Sequence, residues 1–132
     1  MKPEISIVLP AFNEEKAIEK VIDDVRASMR TGKYNYEVLV VDDHSTDRTA
    51  ALAEAKGARV IRRPLTGGSG ASRRTGIVNA EGDIIVMLDA DGSYEAADIP
   101  KLLEHFPEYD QVNGARTSEQ GTLKFQIGRA HV

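Results

Sequence analysis

Two pairs of aspartates, Asp42 with Asp43 and Asp89 with Asp91, each follow a short apolar run. Carboxylates so near one another repel, and desolvation makes both costly unless a proton or a cation intervenes. A hard divalent cation, Mg²⁺ or Mn²⁺, suits Asp89 and Asp91. Such ions take oxygen ligands and often use only one or two carboxylates, leaving the other positions to water and phosphate oxygens. Aspartate is also an ordinary turn and cap residue, so spacing alone leaves a purely structural role open. A third charge-holding stretch is Gly67-Gly68-Ser69-Gly70, with Arg73 and Arg74 close behind. At the start of a helix, exposed amides and arginines suit a diphosphate, whereas in isolation the glycines read as a flexible linker.

The elements that must position these groups are short apolar runs alternating with helical patterns. Ile84 to Leu88 are five consecutive apolar residues, long enough for a strand covered on both faces and too short for a typical helix. Ile5 to Leu9, Val38 to Val41 and Val60-Ile61 read the same way, and Gln111 to Asn113 is a candidate fifth strand. Between them, Ile18, Val21, Ile22, Val25 and Met29 recur at helical spacing, with Asn13 as the expected N-cap and Gly32 as the stop. Glu14 and Glu15 suit the positive end of that helix. An alanine-rich helix over about 50–56 stops at Gly57, another follows the glycine cluster and runs through about Ala80, ending near Gly82, and a last one carries Pro100, Leu102, Leu103 and Phe106. His44 reads as a turn residue, because nothing supplies the further ligands of a histidine metal site.

Strand and helix alternating four times predict an α/β fold, a Rossmann-like parallel sheet with helices on both faces and right-handed crossovers. Asn13 with Glu14, Asp42 with Asp43, the glycine turn, and Asp89 with Asp91 then all follow carboxyl ends of strands. Ligands of open α/β sheets bind at that edge. The first strand-to-helix turn lacks Gly-x-Gly-x-x-Gly, and no Gly-Lys-Ser/Thr follows the glycines, which excludes a dinucleotide fingerprint and a Walker sequence. Leu88-Asp89-Ala90-Asp91-Gly92-Ser93 resembles the nucleophile loop of haloacid-dehalogenase-type phosphatases. In that family the loop follows the first strand, whereas three strands precede it here.

The 132 residues, 41% hydrophobic, fit one domain with a real core. Net charge is −4 and the isoelectric point about 5.4, with both signs interspersed, so there is no sequence-wide nucleic-acid footprint. The absence of cysteine excludes disulfides and thiolate metal sites. No run approaches the roughly 18 apolar residues of a membrane span and no signal-peptide pattern is present, so a cytoplasmic location is expected.

Four motifs in order carry a specific resemblance: Ile7 to Glu15 (Ile-Val-Leu-Pro-Ala-Phe-Asn-Glu-Glu), Val40 to Thr49 (Val-Val-Asp-Asp-His-Ser-Thr-Asp-Arg-Thr), Gly68-Ser69-Gly70-Ala71 with Thr75-Gly76, and Gly82 to Gly92 ending Leu-Asp-Ala-Asp-Gly. From about residue 4 to 116 the chain resembles the N-terminal half of a family 2 glycosyltransferase of the GT-A fold, dolichol-phosphate mannosyltransferase type. The resemblance implies that Pro10, Ala11, Asn13 and Glu14, with Asp42 and Asp43, hold the nucleoside of a nucleoside-diphosphate sugar of the UDP or GDP type. It implies that Gly70 and Arg74 border the diphosphate, that Asp89 and Asp91 carry the metal, and that Arg116 meets an acceptor phosphate. Members often have Asn-Lys-Gly where this chain has Thr66-Gly67-Gly68, which removes a positive charge near the phosphates. They also often have Gly-Ser-Arg where it has Gly114-Ala115-Arg116.

The implied reaction is inverting hexose transfer by in-line attack on the anomeric carbon. The implied acceptor is a polyprenyl (dolichyl or undecaprenyl) phosphate, with the full-length protein at the cytoplasmic face of a membrane. No residue stands out as a general base, which fits an acceptor that is already ionised. Two other readings stay open: a phosphohydrolase with Asp89 as nucleophile, and a fragment that binds nucleotide without turnover. The final Ile127-Gly128-Arg129-Ala130-His131-Val132 is what ATC GGA AGA GCA CAC GTC encodes, a string resembling a common sequencing-adapter read. The glycosyltransferase domain is accordingly expected over residues 1–126, truncated at its C-terminus, with 127–132 foreign to it.

Overall fold

A computed structural model describes residues 2–31, 33–64, 68–92, 97–105, 111–114 and 125–129. It contains strands β1 (Ile5–Ala11), β2 (Tyr36–Asp42), β3 (Arg59–Arg62), β4 (Ile84–Leu88), β5 (Gln111–Gly114) and β6 (Phe125–Arg129). Helices α1 (Ile18–Ser28), α2 (Thr49–Ala55), α3 (Gly68–Asn79) and α4 (Asp98–His105) connect them. The sheet order is β3-β2-β1-β4-β6-β5. From β1 the chain moves outward through β2 and β3, then returns across the sheet to place β4 on the other side of β1. All pairings among these four strands are parallel.

Side chains of a strand alternate between faces, and here the alternation sorts the whole core. Ile5, Ile7, Leu9, Val38, Val40, Val86 and Leu88 pack with the apolar stripe of α1, with Ala53 of α2 and with Ile99 and Leu103 of α4. Val8, Leu39, Val41, Ile85 and Met87 form a second cluster on the opposite face, with Ala80 just beyond α3. Helices therefore cover both faces. α3 alone among the described helices lies on the second, because its connection crosses from β3 back to β4. α3 sits close: a Cβ on Gly76 would lie 2.4 Å from Val8 Cγ1. Gly82 is as tight against the backbone of Ile5 and Ser6, and its N–H donates to the buried Ser6 hydroxyl at 2.8 Å.

The predicted parallel sheet with helices on both faces holds for β1 to β4, and β6, antiparallel to β4, and β5, antiparallel to β6, extend it. β6 has no continuous apolar run, so nothing in its composition marks it as a strand. It includes Ile127–Arg129, half of the stretch read as adapter-encoded; β6 is paired on both sides, by β4 and β5, and backbone pairing demands no particular side chain. Two other expectations change. Asn13 is not an N-cap: α1 starts at Ile18, after a turn in which Glu14 C=O accepts from the N–H groups of Ala17 and Ile18. Gly68, Ser69 and Gly70 are not a loop ahead of α3 but its first turn, and Gly67 lies outside the described residues. Gly57 does end its segment with φ of 82°, and His44, at φ of 60°, is a turn residue.

Asn13 is occupied elsewhere. Its φ is 51°, its N–H donates to Ser45 Oγ at 2.9 Å, and its Oδ1 accepts from the Thr46 N–H at 2.8 Å. Glu14 N–H donates to Thr49 Oγ1 at 2.8 Å, Glu15 N–H to Asp47 Oδ2 at 3.2 Å, and Arg48 N–H to Glu15 Oε2 at 3.2 Å. The loops after β1 and β2 are thus laced together, each satisfying the other's backbone. Asp47 is the hub: it also accepts from the Thr49 N–H at 2.9 Å and from the Thr49 hydroxyl. Partial desolvation opposes its charge, yet the hydrogen bonds from Thr49 and Glu15 outweigh it and hold the carboxyl below its ordinary value.

Both the helix seat and the loop hub can be tested by stability. Gly76→Ala gains up to about 1 kcal/mol in helix propensity but must push α3 off stiff, buried Val8, so urea denaturation should record a net loss of about 1–2 kcal/mol. Stability equal to wild type would mean that α3 is not seated on β1. Asp47→Ala should lose about 1–2 kcal/mol at pH 7. Because the folded carboxyl titrates below the unfolded one, that difference is present above the unfolded value and fades as pH falls through the folded one. A difference that grows on acidification would contradict the assignment.

Candidate active site

The carboxyl ends of β1, β2 and β4 meet where the strand order reverses, between β1 and β4, and α3 begins above that edge. A cavity of about 300 Å³ opens there, lined by Pro10, Ala11, Phe12, Asp43, Gly68, Ser72, Arg73 and Asp89. Strand alternation explains the membership. Asp43 and Asp89 continue the parity of Val41 and Met87, toward α3, whereas Asp42 continues that of Val40, toward α1 and α2. Asp42 is buried and its Oδ1 accepts from the Ser45 N–H at 3.3 Å, which places it under the laced loops.

Asp43 is 6% exposed and held by Arg63, whose Nε approaches Oδ1 at 3.2 Å. The same guanidinium donates to Thr75 Oγ1 at 2.6 Å and to Ala71 C=O at 3.3 Å. Arg63 therefore pins the first turns of α3 to the end of β2. Asp89, about one-third exposed, lies 4.0 Å from Arg73 Nη2. Asp91 is exposed on the turn closed by Gly92, whose φ is 78°. Glu14 belongs to the same electrostatic neighbourhood. Its carboxyl is raised above its ordinary value, first by desolvation and then by repulsion from Asp91, Asp47 and Asp89.

The carboxylates fit a divalent cation of the kind that keeps most of its shell for ligand and water. Glu14, Asp89 and Asp91 repel one another, so a positive charge among them is favoured. Among the described residues no group of three or more acidic or histidine side chains is assembled into a closed metal cage. An ion held by one or two carboxylates, completed by phosphate oxygens, matches that arrangement.

Of the residues singled out from sequence, Pro10, Ala11, Asp43 and Asp89 come together around one cavity, with Glu14 and Asp91 acting on it through charge. Asn13 and Asp42 serve the loops beneath. Gly70 is exposed on the first turn of α3, with open space where a Cβ would stand. Arg74 lines a separate hollow with Arg63, Ala71, Thr75, Val78 and Asn79, while Arg73 faces Asp89. One helical step turns a side chain by about 100°, so adjacent arginines cannot face the same way. Arg116 lies outside the described residues. Phe12 and Ser72 line the cavity without having been singled out from sequence, while Gly68 and Arg73 belong to the glycine and arginine stretch read as suiting a diphosphate. Gly68, Ser72 and Gly76 recur every four residues, the spacing of one helix face, and that signal is present in the sequence.

Comparison with known proteins follows the same outline. The sequence model of the family described as Glycosyl transferase family 2 matches residues 6–129. Protein RfbJ of Shigella flexneri is 37% identical over 124 residues, covering 91% of this chain and 92% of RfbJ. Dolichyl-phosphate beta-glucosyltransferase of Homo sapiens is 34% identical over 111 residues, 75% of this chain but 34% of the human protein. The crystal structure of glucosyl-3-phosphoglycerate synthase from Mycobacterium tuberculosis, in complex with Mn²⁺, UDP and glucosyl-3-phosphoglycerate, has a TM-score of 0.67 at 34% identity, covering 79% of this chain and 39% of the synthase. The mannosyltransferase PcManGT from Pyrobaculum calidifontis, in complex with GDP-Man and Mn²⁺, has a TM-score of 0.79 at 19% identity over 98% of this chain and 45% of that protein, and shares the fold. The chain thus spans most of RfbJ and less than half of the other three. The phosphohydrolase alternative loses its footing, because the Asp-Ala-Asp-Gly turn lies within the matched stretch. By sequence and by the GT-A arrangement of its sheet, the chain belongs to glycosyl transferase family 2.

Proposed function

We propose that this chain is the donor-binding part of an inverting hexosyltransferase that takes a nucleoside-diphosphate sugar of the UDP or GDP type. The observation that carries the reading is the cavity at the β1/β4 switch point, apolar along Pro10 to Phe12 and charged at Asp43, Asp89 and Arg73. Pro10, Ala11, Asn13, Glu14, Asp42 and Asp43 hold or support the nucleoside, and Gly70 and Arg74 border the diphosphate. Arg73, beside Asp89, is the arginine that faces the cavity itself, and Arg74 serves the diphosphate from the neighbouring hollow on the other flank of α3. Asp89 and Asp91 hold Mg²⁺ or Mn²⁺, which supplies charge neutralisation for a departing diphosphate. Mn²⁺ accompanies UDP in the synthase complex and GDP-Man in the PcManGT complex, which supports this cofactor class.

In the transfer, an acceptor oxygen forms a bond to the anomeric carbon as the bond from that carbon to the diphosphate oxygen breaks. We assign the acceptor to a polyprenyl phosphate, whose oxygen is already ionised and needs no general base. Relatives named for dolichyl phosphate and undecaprenyl phosphate support that class. Arg116 is the proposed contact for the acceptor phosphate. Among the described residues no helix is long and apolar enough to cross a membrane. The whole protein would meet its lipid acceptor at the cytoplasmic face. The domain is proposed to run over residues 1–126, with 127–132 adapter-encoded. Resequencing the source DNA should separate those codons from the gene, and finding them contiguous with a genuine stop would remove this boundary.

A thermal-shift panel of UDP, GDP, CDP and ADP, each with and without Mn²⁺, tests donor binding on the 132-residue chain. One nucleotide at 100 times its dissociation constant should stabilise the fold by about 2.7 kcal/mol, only with Mn²⁺ present. Asp91→Ala should abolish the metal-dependent part. A folded chain that responds to none of the four would overturn the donor-site assignment.

A further inference from the structure

Five polar side chains are buried among the described residues, and four have partners. The Ser6 hydroxyl donates to Glu37, Asp42 accepts from the Ser45 N–H, Asp43 is held by Arg63, and the Thr49 hydroxyl donates to Asp47. Ser72 is the exception: it is 1% exposed, and among the described residues its Oγ has no hydrogen-bond partner. The usual remedy for a helical hydroxyl is a bond to the carbonyl one turn back. Thr75, in the same helix, makes that bond to Ala71 C=O at 3.0 Å. Ser72 does not, and it lines the cavity that runs from Asp43 to Asp89. A buried hydroxyl left unpaired destabilises the fold that contains it, so its retention in a cavity calls for an occupant able to bond it.

The walls say which part of a nucleotide that is. Arg73 and the carboxylate Asp89 mark the phosphate and metal end. Asp43, almost fully buried and ion-paired with Arg63, shares the cavity with Ser72 and presents carboxylate acceptors, not the donors a phosphate needs. Phe12, 51% exposed, and Pro10 offer flat apolar surface nearby. A heterocycle with polar edge atoms fits between these walls, its faces against carbon and its edge toward a carboxylate acceptor and a hydroxyl donor.

From this arrangement we infer that the Ser72 hydroxyl hydrogen-bonds the nucleobase of the donor and helps decide which nucleotide the cavity accepts. The inference rests on the nucleotide-sugar reading above. Its test is calorimetric titration of wild type and Ser72→Ala with UDP, GDP, CDP and ADP in the presence of Mn²⁺, and with pyrophosphate in the same buffer. Melting temperatures of the two ligand-free chains accompany the titrations. Ser72→Ala should melt at or above the wild-type temperature, because it removes an orphan group. It should weaken the preferred nucleotide by roughly three- to tenfold, the range of a neutral hydrogen bond, leave pyrophosphate unchanged and narrow the preference among the four nucleotides.

Unchanged nucleotide affinity would mean that Ser72 holds a buried water only, and the inference would fail while the donor site stood. Equal weakening of nucleotide and pyrophosphate would overturn the assignment to the base. A lowered melting temperature in the variant would make the hydroxyl structural. If folded wild type binds none of the nucleotides, the donor reading itself falls and takes the inference with it.

Discussion

Close contact between α3 and the central strand β1 is the constraint on which the site depends. Gly76 has no side chain where a methyl group would meet Val8, so the helix comes down far enough for its first turns to roof the ends of β1, β2 and β4. Raised by a methyl group, α3 would carry Gly68, Ser72 and Arg73 away from Asp43 and Asp89. Arg63 fixes the remaining freedom, since one guanidinium grips Asp43 on the sheet and Ala71 and Thr75 on the helix. Packing sets the height of the roof and hydrogen bonding sets its position.

The reversal of strand order supplies the opening itself. Chain leaving β1 turns sideways toward β2, and β4 is reached only by the return through α3 on the opposite face, so neither connection spans the gap between the carboxyl ends of β1 and β4. Carboxylates collect there because three strands end in acids or lead into them: Glu14 after β1, Asp42 and Asp43 at β2, Asp89 and Asp91 after β4. Sheet geometry concentrates negative charge that the sequence spreads from Glu14 to Asp91, and the raised Glu14 carboxyl is the electrostatic signature of that concentration.

Much of this is legible in the order of residues alone. Buried parallel strands announce themselves as short, mainly apolar runs, and Ile5 to Leu9 (interrupted only by Ser6), Val38 to Val41 and Ile84 to Leu88 all lie within strands. β6 gives no such sign, because an antiparallel strand near a sheet edge needs no continuous apolar run. Pattern places one helix start too early, at Asn13, and another too late, after the glycines, for opposite reasons. Asn13 looks like a cap but bonds a neighbouring loop, a contact 33 residues away in sequence. Gly68 to Gly70 look like a breaker but are helical, since α3 gains more from seating on the sheet than three weak helix formers lose. Choosing between Arg73 and Arg74 requires the rotation of α3, which pattern alone does not settle.

The laced loops have a consequence for how a ligand would be met. Asn13, Glu14 and Glu15 are tied to Ser45, Thr46, Asp47 and Thr49 by bonds that need no ligand to form. Segments that would otherwise be ordered on association are ordered on folding, so their conformational entropy is lost once, before any encounter. Substitutions on the two loops should also be felt jointly rather than independently, because each loop completes the other's backbone. In kinetic terms, this part of the surface is a preformed template, and whatever slow rearrangement accompanies binding belongs to other parts of the protein.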